Sequence, residues 1–542
     1  MKRNAPVIEY LALLSGKNLI LENDLSTTDA GKITVSLVTC DSREVIPGSV
    51  FICKGAHFNE SYLITAAEKG AVLYLSEKRY SAGIPALIVS DVRLAMALLA
   101  DFFYGHPSGK VRLTGITGTK GKSSTAYMLR SILDAYDSST IGRRSGLIST
   151  IDTYDGIREF KSHLTTPEPL ELEGDLSNCA DSGLRHVTME VSSQALKYNR
   201  VTNVEFETGV FLNIGRDHIS PVEHPDFEDY FFSKLKLFSQ SRNAVVNLDS
   251  DHADEILAAA EKNSCRIITF SLKDRAADLF ADDIKAENSG NTFRLTLSEK
   301  MTGLYAEALS REKDAGGQEE MNTDFLSMAK ELAGTAVHVS LPGRFNVENA
   351  LASISVSVLY GVPASCIRSA LAEVSVPGRM EVFESRDRKI TAVVDYAHNQ
   401  LSFRNLFRTV REEYPDRTVV AVFGCSGGKA YERRVQLPTV AAEYSDMIYV
   451  TEDDPGDEPV SKICSEIAAT LDRLGAPYEI IEDRAEAVKA ALSYDRKPLV
   501  AVIAGKGRDA FQKRGTEFVP FPSDADYAIE FLKAYDKAGS DR

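Results

Sequence analysis

The stretch Gly115-Ile-Thr-Gly-Thr-Lys-Gly-Lys-Ser-Ser-Thr125 constrains this chain most, because it reads as a strand end, a glycine-rich turn and a helix start in immediate succession. Val111 to Ile116 is apolar enough for a buried strand, and Met128, Leu129, Ile132, Leu133 and Tyr136 then fall on one helical face. Gly118 and Gly121 let backbone N–H groups turn inward toward an anion, and the helix start adds the positive end of its dipole. Thr119, Lys120 and Ser124 complete this cradle. Lys122 can reach the β/γ-phosphates of a nucleotide, and Ser123 can offer a hydroxyl to Mg²⁺. The usual phosphate loop has its first glycine at the place of Ile116, so this one is the shortened form Gly-x-x-Gly-Lys-Ser. A purely structural glycine turn is the competing reading.

At 542 residues the chain exceeds a single core, and domains of about 100–200 residues imply three or four. No apolar run reaches the roughly 18 residues needed to span a membrane, and Glu9 interrupts the apolar N-terminus, so neither membrane insertion nor a signal peptide is expected. Seven cysteines without a C-x-x-C pair argue against a disulfide framework or a structural zinc, and the expectation is a cytoplasmic protein with buried thiols. A net charge of −16 disfavours nucleic acid as a partner. An anionic nucleotide must then be held by local geometry.

Turn composition at Gly105-His-Pro-Ser-Gly109 suggests a linker, giving domains at 1–109, 110–376 and 377–542. The polar stretch Ser310 to Thr323 cannot bury much apolar surface and is expected to be a loop or excursion. From Pro377 onward strands are expected at Ile390–Val394, Thr418–Phe423, Met447–Val450 and Leu499–Ala504, with amphipathic segments between them. That alternation implies a parallel sheet wrapped by helices, with ligands at the carboxyl ends of its strands. The ends carry Asp395-Tyr-Ala-His398, Gly424-Cys-Ser-Gly-Gly428, Glu452-Asp-Asp454 and Gly505-Lys-Gly-Arg-Asp509. The glycines at 424, 427 and 428 do not form a dinucleotide fingerprint.

In the middle region Glu190 ends the apolar strand Val187-Thr-Met-Glu190, where a carboxylate is costly unless paired or bound to metal. Asp217 and His218 end a second strand in Phe211-Leu-Asn-Ile-Gly-Arg-Asp-His218. Taken singly, each group has an ordinary structural reading.

The phosphate loop, Met189-Glu-Val-Ser-Ser193, Asn213-x-x-x-Asp-His218 and Leu341-Pro-Gly-Arg-Phe-Asn-Val-Glu-Asn349, in this order, resemble the Mur ligases. Leu164-Thr-Thr-Pro167, Pro377-Gly-Arg-Met-Glu381, Asp395-Tyr-Ala-His398 and Ala504-Gly-Lys-Gly507 extend the likeness over nearly the whole chain. Asp41-Ser-Arg43, with Pro47-Gly48 and Phe51, looks like the family's N-terminal uridine-nucleotide domain in the type that adds the third residue of the peptidoglycan stem peptide. The resemblance implies an α/β protein of three domains: a uridine-nucleotide domain, a central phosphate-loop ATPase domain with a mainly parallel sheet, and a C-terminal Rossmann-like domain. It implies a monomeric ligase that splits ATP, with Mg²⁺, to join an amino acid to UDP-N-acetylmuramoyl-L-alanyl-D-glutamate through an acyl phosphate.

By the same resemblance Ser123 and Glu190 help hold Mg²⁺ beside ATP, His218 serves a second metal, and Lys234 is carbamylated to become an oxygen donor. Lys236 is a competitor for that last role, with the spacing from Tyr230 favouring Lys234. Asn346 and Asn349 correspond to residues near adenine, and Arg379 and Asp395 to residues closing over ATP. Ser42, His57, Thr165, Thr166, Ser192 and Arg200 match those contacting the UDP substrate. Gln194, Lys120, Arg508-Asp509 and Asn399-Gln400 depart from the family's usual residues without removing a phosphate or metal group.

The added amino acid is read from Thr451-Glu-Asp-Asp-Pro-Gly-Asp-Glu-Pro459. Relatives that add meso-diaminopimelate typically have Asp-Asn-Pro-Arg there, the arginine forking onto a distal carboxylate. Gly456 takes the arginine's place, and Asp453, Asp454 and Asp457 with their acidic neighbours favour an ammonium. L-Lysine is therefore expected ahead of ornithine and diaminopimelate, with Arg434 on its α-carboxylate and Gly505 and Asp509 nearby. A folylpolyglutamate-synthase-like ligase and a non-catalytic nucleotide-binding paralogue are the alternatives.

Overall fold

The computed structural model describes residues 2–55, 58–217, 219–220, 223–287, 290–315 and 324–540. The chain forms two compact units, Met1–Phe280 with Thr296–Ala333 and Leu351–Ile367, and Ala281–Leu295 with Gly334–Ala350 and Arg368–Arg542.

The first unit holds two sheets. One has the order Ile20–Asn23, Ala86–Val89, Ala71–Ser76, Ser49–Ile52, Leu37–Thr39, parallel except at its first pair. Val92–Tyr104 packs on it because its apolar residues recur at helical spacing; Ala95, Met96, Leu98, Leu99 and Phe103 are all buried.

In the second sheet the strand Arg112–Thr117 lies between Phe206–Phe211 and His186–Glu190, parallel to both. Ser241–Asn247 and Arg266–Ser271 extend it on one side and Gly146–Ile148 on the other, again parallel. Parallel alignment brings the carboxyl ends of these strands to one edge, which is where Gly118, Glu190 and Asn213 emerge. The helix Lys122–Ile141 follows the central strand and buries Met128, Leu129, Ile132, Leu133 and Tyr136, the expected face.

In the second unit six strands take the order Glu381–Glu384, Ile390–Asp395, Leu499–Ala504, Thr418–Phe423, Met447–Val450, Tyr478–Ile480, parallel except at the first pair. Separate apolar clusters cover its two faces, so Leu499–Ala504 is buried at every position and reads as a continuous apolar run. The four strands expected, at 390–394, 418–423, 447–450 and 499–504, all form. A hairpin, Phe511–Arg514 with Glu517–Pro520, follows the last parallel strand.

Three local expectations are corrected. The segment expected as a linker is a 3₁₀ turn, Pro107–Lys110, with Pro107 and Ser108 buried and the Ser108 hydroxyl accepting from the Glu205 N–H at 3.1 Å. The start of the polar excursion is helical, since Glu299–Ala315 runs through it. Glu312 fixes that helix by accepting from Arg112, Arg185 and Tyr136 at 2.9–3.0 Å; residues 316–323 lie outside the described residues. All seven cysteines are free thiols, but contrary to expectation Cys40 is exposed and Cys265 and Cys366 are half-buried; among the described residues no helix is long and apolar enough to cross a membrane.

Candidate active site

The phosphate loop turns on a glycine that no other residue could replace easily. Gly118 has φ +152°, and a Cβ there would come within 3.0 Å of the Leu212 Cβ and 3.3 Å of the Asn213 nitrogen. Asn213 clamps the loop from the neighbouring strand end: its carbonyl accepts from Thr119 N–H at 2.9 Å, its side-chain oxygen from Lys120 N–H at 2.9 Å, and its amide donates to the Lys120 carbonyl at 3.1 Å. Gly121 precedes the helix with no side-chain cap, so the first helical N–H groups are not claimed by a capping side chain. Lys120, one of the departures, pairs with Asp217 at 3.0 Å. The Thr119 hydroxyl accepts from Gly215 N–H at 3.0 Å and meets the Tyr230 hydroxyl at 3.1 Å.

Lys122 donates to the carbonyls of Gly118 at 2.9 Å and Thr119 at 3.3 Å. Lys234, on the helix Phe227–Leu235, donates to the same Gly118 carbonyl at 2.9 Å and is only 1% exposed. Its ammonium lies 4.7 Å from the Tyr230 ring centroid. Burial, with the Lys122 charge next in weight, holds the Lys234 amine well below the usual lysine range; Asp217 opposes this less strongly. Lys236, the competitor, is exposed.

Glu190 is fully buried and accepts from the Thr150 N–H at 2.8 Å and the Thr150 hydroxyl at 3.1 Å. The same Thr150 hydroxyl meets the Thr165 hydroxyl at 3.1 Å. Thr166 donates to the Glu190 carbonyl at 2.9 Å and accepts from Ser192 N–H at 3.0 Å, while Arg200 donates to the Thr166 carbonyl at 3.2 Å. Four of the residues expected to meet the UDP substrate are therefore tied by hydrogen bonds, through Thr150 or the Glu190 carbonyl, to the residue whose carboxylate is expected to meet metal. Glu168 continues the row, pairing with Arg200 at 2.8 Å and with Lys54. Ser42 lies in the turn after Leu37–Thr39, beside the Asp41–Arg43 ion pair. Ser123 and Ser124 are buried at the helix start. His57 and His218 lie outside the described residues.

Sequence reasoning missed Lys54, Glu168, Asn213, Thr150 and His224. Glu168 directly follows the Thr-Thr-Pro motif, and Asn213 opens the Asn-x-x-x-Asp-His segment, so both carried a signal. His224 carried none: it is fully buried, with Nδ1 2.6 Å from Asp229 and Nε2 2.9 Å from the Ser193 hydroxyl. Among the described residues no three His, Cys, Asp or Glu side chains gather as a metal cluster. The chemistry present is nonetheless oxygen donation by a buried carboxylate and a serine at an uncapped helix start. That set fits Mg²⁺, which keeps several waters and phosphate oxygens among its ligands.

In the second unit Asp395 is fixed by the N–H groups of Met380 at 2.8 Å and Ala397 at 2.7 Å. Arg379 stacks 4.8 Å from the Tyr396 ring centroid. Asn346 and Asn349 share a buried hydrogen bond at 3.0 Å, Asn346 also donating to the Pro342 carbonyl at 2.8 Å.

The acidic 452–458 loop is far less negative in the fold than in the sequence. Glu452 pairs with Arg514, Asp454 with Lys506 at 2.8 Å, and Glu458 with Arg434 at 2.6 Å and Lys462 at 2.9 Å. Arg434 and Lys462 hold the Glu458 carboxyl well below the usual range. Burial raises the carboxyls of Asp453 and Asp509, against the opposing charge of Arg484 for Asp453 and of Lys506 for both. Asp457 is exposed and, among the described residues, has no basic partner. Gly456, at φ +58°, bridges Arg514 in the hairpin, its N–H donating to Lys513 at 3.1 Å and its carbonyl accepting from Gly515 at 2.9 Å. Arg434, expected to face a substrate carboxylate, is 2% exposed and also bound by Glu466 at 2.6 Å. It can meet a substrate by exchanging one of these acids for it, or through its buried Nε, which has no hydrogen-bond partner among the described residues.

Residues 116–357 match the Mur ligase middle domain, and 378–507 the Mur ligase glutamate ligase domain. The UDP-N-acetylmuramoyl-L-alanyl-D-glutamate–L-lysine ligase of Enterococcus faecalis is 36% identical, over 93% of this chain and 92% of its own. The UDP-N-acetylmuramyl-tripeptide synthetase of Ligilactobacillus salivarius is also 36% identical, over 96% and 98%. Among solved structures, a UDP-N-acetylmuramoyl-L-alanyl-D-glutamate–2,6-diaminopimelate ligase shares the fold with a TM-score of 0.63 at 24% identity, covering 98% of this chain and 99% of that one. A folylpolyglutamate synthase of Mycobacterium tuberculosis shares it at 0.55 and 17%, over 76% of this chain and 92% of its own. Sequence identity sustained along nearly the whole chain, with the matched domains falling on the phosphate loop and on the six-stranded sheet, places this protein in the Mur ligase family.

Proposed function

We propose that this Mur ligase joins L-lysine to UDP-N-acetylmuramoyl-L-alanyl-D-glutamate while splitting ATP to ADP and phosphate, as a cytoplasmic monomer in peptidoglycan synthesis. The observation that carries the reading is the convergence of Lys122 and Lys234 on the Gly118 carbonyl. The names of the L-lysine ligase and tripeptide-synthetase relatives, and the Gly456 loop, support the choice of substrates.

The chemistry follows from a carboxylate being a poor acylating group. A glutamyl carboxylate oxygen attacks the γ-phosphorus and ADP leaves; the lysine amine then attacks the acyl phosphate carbon and phosphate leaves, the amine giving up its proton. Lys122 and the N–H groups at the uncapped helix start, residues 121–124, stabilise charge on the transferring phosphoryl group. Ser123, Glu190 and carbamylated Lys234 would hold Mg²⁺, which supplies further charge neutralisation, and His218 a second ion. The buried Lys234 amine suits carbamylation, since only a neutral amine adds to CO₂. Thr165, Thr166, Ser192, Arg200 and Ser42, with His57, would bind the UDP substrate. Asn346, Asn349, Arg379 and Asp395 would hold ATP from domains bounded at 110–376 and 377–542, after a uridine-nucleotide domain at 1–109.

On the amino-acid side, Asp457 is the carboxylate left to take the distal ammonium, with Asp453, Asp454, Gly505 and Asp509 shaping the pocket and Arg434 exchanging Glu466 for the α-carboxylate. ADP release assayed with the UDP-muramoyl dipeptide and a panel of amino acids tests the proposal. Release with lysine alone of the panel is the expected result, and release that does not depend on the dipeptide refutes it.

A further inference from the structure

In the second unit the side chain of Arg484 is fully buried and, among the described residues, hydrogen-bonds to none of those assigned above to ATP. It starts the helix Arg484–Ser493, and its partner Asp524 starts the helix Asp524–Ser540. The pair is bidentate, Nε and Nη2 each 2.7 Å from one carboxylate oxygen. Two of the three remaining donors go to main chain: Nη1 to the Glu452 carbonyl at 3.0 Å and Nη2 to the Ala504 carbonyl at 2.9 Å. Asp524 accepts in turn from Gly507 N–H at 3.1 Å.

These two carbonyls belong to strand ends that are not neighbours. Met447–Val450 and Leu499–Ala504 flank Thr418–Phe423, so their backbones are about 9.5 Å apart at two strand spacings. One guanidinium thus ties the start of the 452–457 loop to the start of the 505–509 loop across the intervening strand. A planar fork with fixed donor directions can do this; a single ammonium, a point donor, cannot satisfy both carbonyls and a bidentate carboxylate together. The pair is also costly to bury, and leaving either member unpaired is costlier, which holds the geometry to one arrangement.

We propose that Arg484, oriented by Asp524, is a positioning residue that sets the separation of the two loops forming the amino-acid pocket, and thereby the affinity and selectivity for the amino acid. This rests on the reading of those loops as the amino-acid site. It touches no substrate itself: its effect passes through the Glu452 and Ala504 carbonyls to Asp453, Asp454, Asp457 and Asp509.

The test is steady-state kinetics of Arg484→Lys and Asp524→Asn in the full chain, using whichever amino acid the wild type ligates. The expected result is a KM for the amino acid raised tenfold or more, with KM for ATP and for the UDP substrate within twofold, and a narrowed preference between lysine and ornithine. A role in folding alone would lower the melting temperature without separating the three KM values. Should Arg484→Lys not fold, the near-isosteric Asp524→Asn carries the measurement. An unchanged amino-acid KM in a folded variant, or all three KM values rising together, overturns the proposal. Asp457→Asn measured in parallel separates the two levels. If it alone raises the amino-acid KM, the positioning role fails; if neither it nor Arg484→Lys does, the assignment of the loops fails too.

Discussion

Lys122 and Lys234 share one acceptor: the Nζ of each lies 2.9 Å from the Gly118 carbonyl oxygen. Two ammonium groups on one carbonyl repel, and the buried member yields its proton most easily. Carbamylation would replace that repulsion with attraction, since the product is an anion beside Lys122. The half-buried Lys122 then remains the cation for a phosphate.

Lys234→Ala should lower kcat by about 10²-fold or more, the scale of one lost electrostatic group. Formate or acetate should restore part of the rate by supplying the missing oxygens. Activity assays with and without added carboxylate check this, and full activity in the variant alone would refute the carbamate reading.

Lys122→Ala should likewise cost about 10²-fold or more in kcat, because its charge acts on the phosphoryl group in the transition state. The Gly118 carbonyl it leaves still accepts from Lys234, so stability should change by less than about 1 kcal/mol. Rate and melting curves measured on the same preparation distinguish the two effects.

When lysine, ornithine and diaminopimelate compete in one mixture, the ligated product should be chiefly the lysine tripeptide, identified by mass. Pairing of Glu452, Asp454 and Glu458 with Arg514, Lys506 and Arg434 leaves this preference to Asp457. Asp457→Asn should therefore narrow it by about 1 kcal/mol, or fivefold, typical of one exposed charge contact. A diaminopimelate product in excess would show that the loop does not select an ammonium.

Burial, reinforced by Glu412, raises the Glu413 carboxyl to about 7, against the opposing hydrogen bond from Gly343. A carboxyl raised in the folded protein contributes stability that is complete below its unfolded value, near 4.5, and is lost as pH rises toward 7. Glu413→Gln should thus be more stable than wild type above pH 7, by about 2 kcal/mol after solvent screening, with no gain below pH 4.5. Urea unfolding across that window is the check, and parallel pH profiles for the two proteins would contradict it.

The phosphate loop, the helix after it and the four parallel strands of the second unit were legible in the sequence because each rests on local chemistry. Glycines permit the turn, and apolar runs of strand length or helical period fix the elements around it. The order of the motifs identified the family for the same reason: each motif is a short, contiguous piece of chain.

The 3₁₀ turn at Pro107–Lys110 was not legible, because turn composition does not reveal what packs on a turn. Ser108 is buried, and its hydroxyl is met by the Glu205 N–H, far along the chain. The helix entering the polar stretch was hidden likewise, since Glu312 is made tolerable by Arg112, Arg185 and Tyr136.

By itself the sequence determined the kind of chemistry, a phosphate loop with carboxylate and lysine partners, because that depends on residue types at fixed short spacings. Tertiary structure alone decided which charges remain to act. It buries Lys234 against Gly118 and leaves Lys236 exposed, although only Leu235 separates the two on the chain. It also pairs most of the acidic loop with cations brought from distant segments, leaving Asp457. The physical reason is that a charge's effect falls with distance and with solvent access, and neither quantity is written in the order of residues.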